Sequence, residues 1–160
     1  MKEIPLTKGK VALVDDEDYE YLNQFKWCVT TSPNTQYAVC GNVILFNNKW
    51  EKGVRMHRLL LQARPRQIVD HKNHDGLDNQ RHNIRICTHQ QNTWNSRPHT
   101  NGYSKYKGVL KQGNRWSAHI TINGYSACLG TFGTEEEAAR RYDKSARLYH
   151  KDFACLNFPE

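Results

Sequence analysis

Apolar residues in this chain come in short clusters separated by polar turns, a pattern that predicts a small α+β protein. Residues 11–14 (VALV), 26–30 (KWCVT), 37–40 (YAVC) and 43–46 (VILF) are β-type runs broken by Asn, Gly and Pro. Between the first two, DDEDYEYLNQF opens on carboxylates, which favour a helix N-terminus, and predicts a short helix. VRMHRLLLQ (54–62) predicts a second helix, closed by the turn-like ARPRQ. DHKNHDGLDNQRHN (70–83) is too polar for a strand or a buried helix. The apolar run NIRIC follows, and Thr88-x-x-Gln91 is a capping-box pattern that opens the short helix HQQNTWNS.

The pattern changes at Ser104. YKGVLK, RWSAHITI and YSACLGTF read as three strands separated by QGN and NG, the second a strong hairpin signal. Thr134-x-x-Glu137 is another capping box, opening a helix from Glu135 to about His150. Ala138, Tyr142, Ala146 and Tyr149 share one face of that helix, and the small alanines allow close approach to a sheet. The opposite face of the sheet is expected to hold Lys107, Lys111, Arg115 and Trp116. RPHTNGY, rich in turn residues, reads as the link between modules.

Composition narrows the function. Of 160 residues, 23 are Lys or Arg and 16 are Asp or Glu, a formal charge of +7 that points to a polyanionic partner. With 38% hydrophobic residues and no apolar run near the roughly 18–20 that a spanning helix needs, a membrane protein is excluded. The opening MKEIPLTKGK has no apolar signal-peptide core. Five scattered cysteines without a Cys-x-x-Cys pair predict a reduced, intracellular protein, expected in the cytoplasm. The charge is uneven: net −1 over 1–50, +5 over 51–103 and +3 over 104–160. Six of the eight histidines lie between His57 and His99, inside the most basic segment.

That segment carries candidate chemistry. Asp70 and His71 fall together at a strand end, and Asn92 falls on the helix that follows. Carboxylate and amide oxygens are hard ligands suited to Mg²⁺, which takes one or two protein ligands together with waters and substrate phosphate. A histidine titrating near neutrality can take a proton from an attacking water. The set suits metal-assisted phosphodiester hydrolysis, a reaction that demands large charge stabilisation. His71-x-x-His74, with His82, Cys87 and His89 nearby, leaves a structural zinc module as a rival. His57, on the preceding helix, could serve the core or support the site.

VDHKNHDGLDNQRHNIRICTHQQNTWN resembles the HNH nuclease motif of phage and intron homing endonucleases, over roughly residues 55–97. The resemblance implies a ββα-metal finger. His71 would be the general base and Asp70 and Asn92 the ligands of one Mg²⁺ or Mn²⁺. Asn83 would brace the loop that holds His71. It also implies products with 5′-phosphate and 3′-hydroxyl ends, and a monomer that nicks one strand of double-stranded DNA.

SKYKGVLKQGNRWSAHI and CLGTFGTEEEAARRYDKSARLYHKDFACLNFP resemble the plant APETALA/ethylene-response-factor DNA-binding domain over 104–159. That family lays its three-stranded sheet in the major groove. Positions that carry Arg or Trp for contact in the plant domains read here as Lys107, Leu110, Gln112, Asn114, Thr121, Ser126 and Cys128. Only Lys107 keeps the charge, without the bidentate fork of arginine. Phosphate-dominated binding is therefore expected, through Lys105, Lys107, Lys111 and Arg115, with Trp116 packing or touching sugar.

The expected organisation is a β-rich extension (1–50), an HNH finger (51–97), a linker (98–103) and a three-stranded antiparallel sheet on one helix (104–160). The expected function is a site-specific HNH DNA endonuclease. Its alternative is a non-catalytic DNA-binding regulator with a structural HNH finger.

Overall fold

The computed structural model describes residues 1–44, 50–98 and 102–159. It is a mixed α+β chain with small antiparallel sheets, packed as two compact units, residues 1–88 and residues 89–160. The linker expected over 98–103 lies partly outside the described residues, which omit 99–101.

In the first unit β1 (Lys2–Pro5) pairs with β2 (Val11–Val14), and α1 (Asp16–Leu22) follows with three acids in its first turn. Those carboxylates sit at the positive end of the helix dipole. β3 (Trp27–Ser32), β4 (Thr35–Ile44) and β5 (Trp50–Arg55) form a three-stranded sheet. The runs expected separately at 37–40 and 43–46 are one strand as far as Ile44; Leu45 and Phe46 lie outside the described residues. The expected helix from Val54 begins two residues late, as α2 (Met56–Leu60), because Val54 and Arg55 pair with Cys40 and Val39 of β4. β6 (Ile68–His71) and β7 (Ile84–Cys87) form a separate hairpin.

One apolar core runs through this unit, from Ile4, Val14 and Leu22 to Trp27, Met56 and Ile84. Full burial of such side chains contributes about 1.5–3 kcal/mol each. Trp27 keeps its indole N–H satisfied by donating to the Leu22 carbonyl at 2.8 Å, which lets the ring enter the core. The first 44 residues thus share their interior with the segment that carries the polar loop.

The second unit begins with α3 (His89–Asn95) and continues with β8 (Val109–Gln112), β9 (Arg115–Ile122) and β10 (Tyr125–Phe132), in sheet order β10-β9-β8. α4 (Glu135–Tyr149) packs on one face of this sheet. Its capping box is formed on both sides, Thr134 Oγ1 accepting from Glu137 N and the Glu137 carboxylate from Thr134 N. Ala138, Ala139, Tyr142 and Ala146 meet Val109, Ala118 and Ile120 across the interface. The approach is close enough that Gly108, at φ +73°, could not carry a Cβ without striking the Tyr142 ring and the His119 carbonyl.

The strand register corrects the expected face of two residues. Trp116 shares its side with Ala118 and Ile120, pairs with Lys111 and Phe132, and packs in the helix-facing core. Lys111 lies on that same side, exposed, with Nζ 5.9 Å from the Trp116 ring centre. Period-two alternation about Ala118 decides the matter, because the alanine is fully buried against α4. The outer face carries Leu110, Gln112, Arg115, Ser117, His119, Thr121, Ser126 and Cys128.

Candidate active site

The β6–β7 hairpin sets Asp70 opposite Arg85 and His71 opposite Ile84. Asp70 and His71 are each 6% exposed. The Arg85 guanidinium donates to Asp70 Oδ2 through Nε at 2.9 Å and Nη2 at 2.8 Å. A buried carboxylate requires such a partner, and the cross-strand pair supplies it. Arg85 is the arginine of the Asn-hydrophobic-Arg element. Period-two pairing across the hairpin was the sequence signal that could have matched it to Asp70.

The loop between the strands is held by a dense network of side-chain and backbone bonds. Asn83 (3% exposed) accepts from Asn73 N at 3.1 Å and donates to Asn73 Oδ1 at 3.0 Å and to the Asp78 carbonyl at 2.8 Å. Its own carbonyl accepts from Lys72 N at 2.9 Å. Asn73 Nδ2 donates to Asp78 Oδ2 at 2.7 Å, and Asp78 Oδ1 accepts from the Gln80 side chain at 3.0 Å. A loop of this polarity holds one conformation because Asn and Asp side chains brace turns that backbone bonds also close.

The first 44 residues fasten the loop from outside. Leu13 bridges it in parallel at Asp78, donating to the Leu77 carbonyl at 2.9 Å and accepting from Asn79 N at 2.8 Å. Arg81 grips Asp18 through two bonds, Nε to Oδ2 at 2.8 Å and Nη2 to Oδ1 at 2.6 Å. Gly76 N donates to Thr35 Oγ1 at 2.9 Å, and a Cβ on Gly76 would collide with the Gln36 carbonyl and the Tyr37 ring.

Tyr37, His57 and His71 form an aromatic triad. The Tyr37 ring lies 5.3 Å from His57 and 5.9 Å from His71 between ring centres. His57, 3% exposed, is pushed down to about 3 by burial, with the nearby His71, Arg55 and Arg58 adding to the effect, so it stays neutral. His71 is held below the ordinary histidine value by burial, against the opposing pull of the Asn79 side chain and the carboxylates of Asp70, Asp75 and Asp78. A neutral imidazole is the form that can accept a proton. Tyr37 carries no motif, so no sequence signal marked it.

Asn92 lies on α3, in the second unit, partly buried. Its amide oxygen and the Asp70 carboxylate are the donor chemistry that Mg²⁺ or Mn²⁺ takes, so the residue types fit such an ion. Among the described residues, no three His, Cys, Asp or Glu side chains converge as a closed metal cage.

The basic residues of the second unit differ in what they touch. Lys105 is exposed, its Nζ 5.0 Å from the Tyr106 ring centre. Arg115 Nη2 donates to the Thr131 carbonyl at 3.2 Å on the outer face. Lys107 is partly buried, and its Nζ donates to the carbonyls of Thr93, Trp94 and Ser96 at 3.1, 2.6 and 2.5 Å. Burial pushes its pKa down to about 8. The cation expected to keep the plant-type DNA contact is thus engaged by carbonyls at the end of α3.

No helix among the described residues is long and apolar enough to cross a membrane. No family model matches the chain. It is 29% identical over 153 residues to an uncharacterized HNH endonuclease of Acanthamoeba polyphaga mimivirus, an alignment covering 94% of this chain and 76% of that protein. Over 57 residues, 35% of the chain, it is 49% identical to an AP2/ERF and B3 domain-containing protein of Oryza sativa subsp. japonica. Over 58 residues it is 45% identical to an AP2/ERF and B3 domain-containing transcription factor of Arabidopsis thaliana. The matched parts make up 16% and 17% of these two plant proteins. The chain is therefore a homologue of an HNH endonuclease over nearly its whole length, and its C-terminal third matches AP2/ERF domains.

Proposed function

We propose that the protein is a metal-dependent DNA endonuclease of HNH homing type, which nicks one strand of duplex DNA as a monomer. The observation that carries this reading is the pairing of a buried Asp70-His71 strand end with a loop stapled shut by Asn83. Nothing about stability requires a 12-residue loop (72–83) of this polarity to be fixed so thoroughly. A catalytic base, in contrast, must be held in place.

His71 takes a proton from the attacking water at a ring nitrogen, and its burial keeps that nitrogen unprotonated. Asn83 holds the loop that follows His71, and Arg85 holds the Asp70 carboxylate. On the resemblance to the ββα-metal finger, Asp70 and Asn92 would hold Mg²⁺ or Mn²⁺. When bound, such an ion supplies Lewis-acid stabilisation of the charge developing on the phosphate and leaving oxygen. The products carry 5′-phosphate and 3′-hydroxyl ends. Duplex DNA is held by the C-terminal sheet module, with Lys105, Lys111 and Arg115 on phosphates. The modules read from the sequence, a finger over 51–97 and a DNA reader over 104–160, remain the functional division proposed here.

One observation favours the other reading, a DNA-binding regulator with a structural finger: Asp70 Oδ2 is already engaged by Arg85. Nicking of supercoiled plasmid with Mg²⁺ or Mn²⁺, by wild type and by His71→Ala, decides between them. The expected result is retained binding by the variant with cutting reduced at least about 10²-fold. Equal cutting by both proteins would overturn the assignment of His71, and a wild type inert with either ion would favour the regulator.

A further inference from the structure

We propose that Lys107 and Trp94 are positioning residues that lock α3 onto the C-terminal sheet module, so that the module which binds DNA also presents Asn92. The inference rests on the reading of Asn92 as a metal ligand. It begins with the length of α3. A helix of seven residues, His89–Asn95, does not hold itself together in water, where isolated helices shorter than about 12–15 residues are marginal. Its conformation and place must come from what it packs on.

Three anchors supply them, all within residues 89–160. At the C-terminal end, the three N–H donors of the Lys107 ammonium match three acceptors, the carbonyls of Thr93, Trp94 and Ser96. They lie at the end of α3 and just beyond it, where carbonyls run out of intrahelical donors, and a cation there also meets the negative end of the helix dipole. Along one side, the Trp94 ring stacks on His150 with centres 4.4 Å apart and planes 14° from parallel. Trp94 Nε1 donates to the Thr121 carbonyl at 3.1 Å, and His150 Nε2 lies 3.0 Å from the same oxygen. Nearer the start, the Gln90 amide faces two backbone donors, and with its oxygen turned toward them it accepts from Asn123 N at 2.8 Å and Gly124 N at 3.2 Å.

The lysine is itself rooted. Its backbone N donates to Asn157 Oδ1 at 2.7 Å, and Asn157 Nδ2 donates to the Asp143 carboxylate at 3.0 Å. Asp143 is 2% exposed on α4. A chain of polar contacts therefore runs from the interior of the sheet-helix module to the end of α3. With its donors committed to carbonyls, Lys107 has no N–H left for a phosphate, so a position used for DNA contact in the plant-type domain serves α3 in this chain.

The test is Lys107→Met in the full-length protein, which keeps the aliphatic stem and removes the donors. Three measurements are made: plasmid nicking across a Mg²⁺ titration, the salt dependence of binding to a mixed-sequence duplex without metal, and amide hydrogen exchange. The expected result is a rise of about 10–100-fold in the metal concentration for half-maximal nicking. Protection at residues 89–95 is lost while α4 keeps its own, and the salt slope of DNA binding stays at the wild-type value. Trp94→Leu, which removes the stack without altering β8, gives the same signature and serves should Lys107→Met fail to fold. A salt slope reduced by about 1, with protection of α3 intact, would make Lys107 a phosphate contact and overturn the proposal. Lost protection with an unchanged metal requirement would overturn the positioning role. A wild type that binds DNA and never nicks would sink the nuclease reading and the role of Asn92 with it, whereas exchange at 89–95 would still judge the docking.

Discussion

The His57 ring meets the His71 ring edge-on, with centres 4.9 Å apart and planes at 85°. His57 comes from α2 and His71 from the end of β6, so this contact ties the catalytic candidate to the core helix that precedes it. Tyr37 completes the wall from β4. His57→Ala would open a void beside His71 and free its ring to turn. Small misplacements of a reacting group are expensive, and nicking by this variant is expected to fall by up to about 10²-fold. His57→Phe preserves an aromatic edge and should retain most of the activity. Single-turnover nicking of prebound plasmid checks both, and equal loss in the two variants would assign His57 a role beyond packing.

Burial of His57 as a neutral ring has a consequence for acid stability. Its pKa is about 3 in the folded protein, against 6.5 for the ordinary residue. Between these values the unfolded chain binds a proton that the folded chain refuses, so stability rises with pH across that window. The contribution is complete above about pH 6.5 and is lost on acidification towards 3, by up to about 1.4 kcal/mol per pH unit. His71 is shifted in the same direction and adds to the slope. Denaturant midpoints measured across the window should rise with pH in wild type and rise less steeply in His57→Phe.

Arg81 and Asp18 test how far the N-terminal residues hold the loop. Arg81→Ala leaves Asp18, 7% exposed, without the two charge-assisted bonds the guanidinium provides. Destabilisation of about 1.5–3 kcal/mol per such bond sets the upper range, reduced because Arg81 is half exposed. Asp18→Ala in the Arg81→Ala background should restore part of the loss, since removing both partners leaves no buried charge. A double-mutant cycle by chemical denaturation measures this, and simple additivity would show that the pair is not coupled.

DNA binding by Lys105, Lys111 and Arg115 should be strongly salt-dependent. If six to ten phosphates are gripped, affinity falls by about 10³ to 10⁵ between roughly 50 and 200 mM salt. Replacing any one of the three by Ala should lower the slope of log affinity against log salt by about 1 and weaken binding equally on different sequences. Anisotropy titrations at several salt concentrations check it; an unchanged slope for all three would place the electrostatic grip elsewhere on the chain.

The elements most legible in the sequence were those whose local signals and packing agree. Thr134 and Glu137 announced α4, and Ala138, Tyr142 and Ala146 announced its buried face; Tyr149, expected on the same face, is instead exposed near the helix end, past the sheet. β1 and β5 were not legible. Residues 2–5 (KEIP) and 50–55 (WEKGVR) mix charge, Pro and Gly, and they are strands because neighbours pair with them. The split of VRMHRLLLQ between β5 and α2 has the same cause, since a helical period cannot reveal that its first two residues are claimed by β4. In the site, Asp70 and His71 were legible as chemistry, whereas Tyr37, Asp18 and Arg81 act through contacts 34 to 63 residues apart in the chain, which no local pattern encodes. Lys107 was legible as a charge and misleading as a contact: the acceptors it found lie at the end of α3 and just past it, 11 to 14 residues earlier.

The seam after Thr88 bears on how such proteins can be recombined. The turn-rich stretch near residue 100 looks like the place to exchange one DNA reader for another. A transplant cut there would sever α3 from the lysine, tryptophan partner and backbone turn that shape it. A foreign module joined at that point would follow a helix that has lost its mould. A graft joined before His89 would instead carry that helix along with its own support, and with it one candidate ligand of the cutting site. Helix and sheet module then travel as one heritable cassette, and any graft that exchanges the sheet exchanges Asn92 with it.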